Sequence, residues 1–212
     1  MNTATPPPNG PDERAYHHGD LRRSLIAAAL QLVEEQGLEA VSVREVARRV
    51  GVSAGAPFRH FENRTALLTA VAEEAQDRLL QAVDDAQRPC ASDDPLAVFR
   101  AIGEGFLRWA FANPAHFQVV STRAMIDYDS PGLRDRNDRL RATMRALMED
   151  AAAQGRLRPG DLDAYVLGLR ALVYGLARMH VDGQFASWGR VPQRALEDSL
   201  AVLDQFMQAL QA

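Results

Sequence analysis

The 212-residue chain contains no lysine: all 24 of its basic residues are arginine. Every positive side chain can therefore make planar, two-pronged contacts with carboxylate, phosphate or a base edge. A single cysteine, Cys90, excludes an internal disulfide and fits a reducing compartment. No apolar run approaches the ~20 residues that a bilayer-spanning helix needs, so no membrane partner is expected. The opening MNTATPPPNGPDER is polar and proline-rich, without the apolar core of a secretory signal. Residues 1–15 are expected to form a disordered tail, and the expected setting is the cytoplasm. A net charge of −4 excludes a general polycation, so any nucleic acid must be met by a local patch.

Strand-type alternation is also missing, whereas helical periodicity runs nearly throughout. Helices are expected at 20–36, 42–50, 53–61, 63–87, 94–112, 114–122, 131–154, 161–183 and 191–211. Asp20 is a good N-cap for the first, and Leu21, Leu25, Ala28 and Leu32 give it one buried face. The breaks are Gly37, Gly51, the loop RPCASDD (88–94), Asn113-Pro114, Ser130-Pro131-Gly132, Arg158-Pro159-Gly160 and Trp188-Gly189. Apolar content of 47% suffices for a core, and short loops suit an all-α bundle.

The stretch VGVSAGAPFRHF, residues 50–61, carries most of the functional information. Ser42-Val-Arg-Glu45 before it reads as a capping box. Val43, Val46, Ala47 and Val50 form an apolar face, and Ala47 is small enough for a close helix crossing. Gly51 stands where a bend requires positive φ. Ser53 is placed to cap a third helix that Phe58 and Phe61 hold down. Two short helices around a tight glycine turn make a helix-turn-helix, whose second member enters the DNA major groove. On that reading Arg44, Ala54, Ala56, Pro57 and Arg59 face bases or the groove floor. Gly55 lets the backbone approach closely, and Ser42, Ser53, Phe58, His60 and Arg64 meet the phosphate backbone. Local charge agrees: residues 42–64 hold five arginines against Glu45 and Glu62, a balance of +3, on an otherwise acidic chain.

VREVARRVGVSAGAPFRHFENRTALL resembles the helix-turn-helix of the TetR family of bacterial transcriptional regulators. YHHGDLRRSLIAAALQLVEEQG, residues 16–37, is similar to the first helix and its lead-in within one branch of that family. LRALVYGLARMH is similar to a segment of one of its C-terminal classes, with Tyr174 where a histidine commonly stands. The resemblance implies about nine helices: a DNA-binding domain over 16–64 and a ligand-binding and dimerisation domain over 65–212. It further implies a homodimer, usually a repressor, that a small-molecule effector releases from double-stranded operator DNA. Many members have Tyr where this chain has Phe58, and Lys where it has Arg64; both commonly reach phosphate.

Among the aromatic residues beyond the loop, Phe106, Trp109, Phe117, Tyr174 and His180 pair apolar area with polar tips and are expected to line a ligand pocket. Leu196, Leu200, Leu203, Met207 and Leu210 form a stripe on the last helix, and Ala164, Gly168, Ala171 and Gly175 a stripe of small residues on the one before; the pattern alone fits packing within one protomer as well as between two. The resemblance makes these two helices the dimer interface. His17-His18-Gly19-Asp20 lacks the spacing of a zinc motif, Gly103-Glu104-Gly105 has no strand before it, and no catalytic set is legible. No metal, cofactor or enzymatic activity is expected. The competing reading is a helical carrier or enzyme for a small apolar molecule.

Overall fold

The computed structural model describes residues 11–90 and 93–212, with side chains from residue 21 onward. The secondary structure is all-α: eight helices, with no strand among the described residues. They are α1 (Pro11–Gln36), α2 (Val43–Val50), α3 (Arg64–Gln87), α4 (Pro95–Ala112), α5 (Pro114–Ser121), α6 (Pro131–Ala153), α7 (Leu162–Val181) and α8 (Ala195–Leu210). α1 begins at Pro11, well before the expected cap at Asp20, and takes in the last part of the expected tail. Residues 1–10 of that tail lie outside the described residues, as do the side chains of His17 and His18.

The count falls one short of nine because the expected helix at 53–61 forms only a 3-10 turn, Pro57–Arg59. The cause is local. Pro57 has no N–H to return to the Ser53 carbonyl, so the α-helical ring cannot close there. That carbonyl instead accepts from Ala56 N at 3.0 Å, and His60 N donates to the Pro57 carbonyl at 2.9 Å.

The chain divides into two compact units, Met1–Val71 and Ala72–Ala212, and the division falls within α3. In the first unit, Leu25, Ala28 and Leu32 of α1 are buried, as their spacing predicts, and Leu21 is half-buried. Val46 and Ala47 of α2, Phe61, and Leu67, Leu68 and Val71 of α3 are also buried. In the second unit α4 packs against α6, α7 and α8, and α7 packs against α6 and α8. Phe99 and Leu107 of α4, Met148 of α6, Leu169 of α7 and Leu203 of α8 are wholly enclosed. Arg100 ties α4 to α8 through Asp204 (2.6 Å) while also bonding Glu104 (2.6 Å). No helix among the described residues is long and apolar enough to cross a membrane.

Candidate DNA-reading unit and ligand cavity

α2 starts as its capping box predicts, though only one half of the box closes. Ser42 Oγ accepts from Glu45 N at 3.1 Å, whereas the Glu45 carboxylate turns to Arg48 Nε at 2.9 Å. The Arg48 bond holds the Glu45 carboxyl below its usual pKa. At the other end Gly51 takes φ 77, ψ 28. Gly51 N donates to Arg48 O, and Val52 N to Ala47 O at 3.1 Å. These paired bonds form a Schellman motif, which turns the chain sharply and requires a left-handed residue. Two arginines of α2 are committed within the unit: Arg48 to Glu45, and Arg49 to Glu35 at 2.6 Å.

Arg44 and Arg59 are different. Both are exposed, and neither guanidinium forms an ion pair or hydrogen bond with any described residue. Arg44 lies on the first turn of α2, and Arg59 closes the 3-10 turn. Ser42, Ser53, Ala54 and Gly55 are exposed, and Ala56 is half-buried. A Cβ added at Gly55 would meet nothing within 4 Å, so the unit itself does not require glycine there.

Three expectations are corrected. Pro57 is buried, so its ring belongs to the unit's own packing and not to the groove floor. Phe58 is 49% exposed and holds nothing down; Phe61 alone is the buried anchor, with Arg22 lying over its ring at 5.4 Å. Arg64 donates to the Leu38 carbonyl at 2.7 Å and lies 3.5 Å from Glu39, so its guanidinium braces the unit. His60 is half-buried, its ring tilted 51° to that of Phe61.

The second unit contains a cavity of about 300 Å³. Phe106, Trp109, Phe117 and Tyr174 line it, as expected. Phe106 meets Phe117 edge-on at 6.2 Å, and Phe117 lies 5.6 Å from Tyr174. His180 is not in its wall. It stacks on Phe111 at 3.9 Å, and burial lowers its pKa. Sequence reasoning missed the polar wall: Gln76, Ser121, Arg123, Tyr128, Asn137 and Arg170. Arg170 sits on α7 with its guanidinium 5.0 Å from the Phe106 ring and 5.1 Å from that of Tyr174. Burial lowers its pKa from the ordinary arginine value, against the pull of Tyr128 and Tyr174. The sequence offered no signal for it, because α7 also carries Asp163, Arg178 and His180.

The description "Bacterial regulatory proteins, tetR family" matches residues 25–71, and "Tetracyclin repressor-like, C-terminal domain" matches residues 99–203. The chain belongs to the TetR family. Its relatives include the HTH-type transcriptional regulator BetI of Cronobacter sakazakii, 36% identical over 84 residues, which cover 40% of this chain and 42% of that one. Another is the HTH-type transcriptional regulator Rv1816 of Mycobacterium tuberculosis, 28% identical over 68% of this chain and 62% of the relative. The chain thus aligns with less than two thirds of the length of either. Among solved structures, a protein of unknown function from Rhodococcus sp. RHA1 superposes with a TM-score of 0.76 at 29% identity, covering 93% of this chain and 98% of that one. The ketosteroid transcriptional regulator KstR2 of Mycobacterium tuberculosis shares the fold, with a TM-score of 0.66 at 18% identity over 91% and 95% of the two chains.

The expected dimer residues divide. Leu203 and Met207 are buried within their own protomer, where Leu203 packs over Gly103, so they belong to its core. Gly168 admits the Phe206 ring, which would stand 3.2 Å from a Cβ there. Leu196 and Leu200 are half-buried against the same core. Left outward are Ala164, Leu167 and Ala171 of α7, Gly175 with open space before it, and Val202 of α8.

Proposed function

We propose that this TetR-family protein is a DNA-binding transcriptional regulator, a repressor that a small molecule releases from its operator. The observation that carries the reading is the pair of exposed, uncommitted guanidiniums, Arg44 and Arg59, on either side of the glycine turn. Unit 1 spends Arg48, Arg49 and Arg64 on its own packing and leaves these two free. Arg59 would fork onto a guanine edge, with Ala54, Gly55 and Ala56 giving the backbone a smooth approach. Ser42 and Ser53 would sit against phosphate. The protein would act as a homodimer, presenting two such units to half-sites one helical turn apart. The outward apolar faces of α7 and α8 are the surfaces available for that pairing. The cavity in unit 2 would hold the effector. α3 runs from one unit into the other without a break, so a shift of α3 on ligand binding would change the spacing of the reading units.

The test is Arg59→Ala. Each bidentate base contact contributes about 1–3 kcal/mol of discrimination. Two half-sites double that, so cognate affinity should fall by about 2–6 kcal/mol, roughly 30-fold or more, with far less loss on random DNA. The Arg59 guanidinium has no partner among the described residues, so melting temperature should not move. Equal weakening on cognate and random DNA would reduce Arg59 to a phosphate clamp.

A further inference from the structure

Three buried polar atoms on residues of the cavity wall have no hydrogen-bond partner among the described residues: Arg170 Nη1, Trp109 Nε1 and Gln76 Oε1. An unmade hydrogen bond of this kind costs about 1–3 kcal/mol per group, and more where the group is charged. Arg170 is the most demanding of the three. Its described neighbours are the faces of Phe106 and Tyr174 and the phenol of Tyr128, all weaker partners than a carboxylate. No described residue lining the cavity is Asp or Glu, whereas two are Arg. The second, Arg123, is exposed and lies over the Tyr128 ring at 3.6 Å. Elsewhere in the chain arginines are routinely given acids, as Arg100, Arg136 and Arg145 are. The cavity is thus electropositive, apolar in most of its wall, and without a carboxylate among its described lining residues.

We infer that the cavity binds an amphipathic monocarboxylate, with its carboxylate on Arg170 and Trp109 and its apolar body among Phe106, Phe117 and Met144. The inference deepens the ligand-controlled reading above and rests on it. A carboxylate supplies the acceptors that the guanidinium fork and the indole N–H lack, in a planar geometry that Arg matches. Gln76 can contribute its NH2 to the same anion by a half-turn of its amide. A single negative charge neutralises Arg170, whereas a phosphate dianion would bring surplus charge into an apolar wall. Arg123 at the exposed side would draw the anion in. A volume of about 300 Å³ is at the small end for ligand sites, so the body is a medium alkyl chain or one aromatic ring with a short tail.

The experiment uses full-length protein carrying Trp188→Phe, which leaves Trp109 as the only tryptophan; Trp188 is 73% exposed and outside the cavity wall. Decanoate and 4-phenylbutanoate are titrated at neutral pH against their primary amides, with decyl phosphate alongside, and Trp109 fluorescence is followed. At least one carboxylate should bind at least about tenfold more tightly than its amide. Arg170→Met should erase that preference, and should raise the melting temperature without ligand because it removes a buried unpaired charge. Should Arg170→Met fail to fold, the melting temperature of the parent protein decides: carboxylate raises it and amide does not. Equal binding of acid and amide, no binding of any acid, or tighter binding of decyl phosphate would each overturn the assignment. The same carboxylate is then added to the complex with selected operator DNA. Binding without release of DNA would leave the carboxylate site standing and would refute ligand control.

Discussion

Leu167 is 67% exposed on α7, and Leu203 on the neighbouring helix is 0% exposed. The two leucines should therefore answer different questions. Burying a whole leucine side chain is worth about 1.5–3 kcal/mol. If the exposed two thirds of Leu167 are covered by a second protomer, about 1–2 kcal/mol per copy is gained on pairing. A two-fold axis counts it twice, so Leu167→Ala should weaken dimerisation by about 2–4 kcal/mol, roughly 30- to 700-fold. Leu167→Glu should do more, because it places a carboxylate in an apolar seam. The isolated protomer should hardly notice either change, within about 0.5 kcal/mol. Leu203→Ala should do the reverse: about 2–5 kcal/mol of folding stability lost through a cavity beside Gly103 and Leu169. Sedimentation velocity over a concentration series reads the first effect and thermal melting the second. Leu167 also contributes to the cavity wall, so both are run without ligand. A Leu167→Glu protein that dimerises like the parent would remove this face of α7 from the interface.

Gly105→Ala should destabilise the second unit by about 1–2 kcal/mol in thermal melts. The usual helix gain of about 1 kcal/mol is outweighed because the new Cβ would stand 2.8 Å from Val83 Cα and 2.9 Å from the Ala82 carbonyl, both backbone atoms; unchanged or raised stability would contradict that crossing of α3 and α4. Melting temperature should also fall as pH drops from neutral towards about 5. Burial lowers the folded-state pKa of His116, Arg78 adds to this and Glu74 opposes it, while burial alone lowers that of His180. A histidine depressed in the folded state contributes stability that is complete above its unfolded value near 6.5 and is lost as pH falls towards the folded value. His116→Gln should flatten part of that slope, and a melting temperature that is flat or rises on acidification would refute the assignment.

What was legible in the sequence followed from local rules. Gly51 and Ser42 each answer to a backbone requirement that a few neighbours fix, and both sit where the pattern put them. The failure at 53–61 was in principle avoidable, since the missing N–H of Pro57 is a property of the residue itself. The α8 stripe was harder. Periodicity marks Leu203 and Met207 as apolar and aligned, but α8 has apolar residues on more than one face, and only packing shows that this face turns inward. Arg170 was beyond the method: among helical residues a lone arginine reads as solvated charge, and its burial among aromatic rings depends on helices far apart in the chain. Phe106, Trp109, Phe117 and Tyr174 were found because large aromatics shape a cavity wherever they converge; His180, with the same mixed character, found Phe111 instead.

Selection of bound fragments from the source organism's genomic DNA tests the central claim most directly. The account predicts enrichment of one two-fold symmetric sequence whose half-sites lie about 10 base pairs apart, or a multiple of that. The protein should bind it at least about 1,000-fold more tightly than random DNA at physiological salt. Fragments enriched without a common sequence, or bound no better than random DNA, would contradict the reading of Arg44 and Arg59 as the groove-facing pair of a sequence-specific regulator.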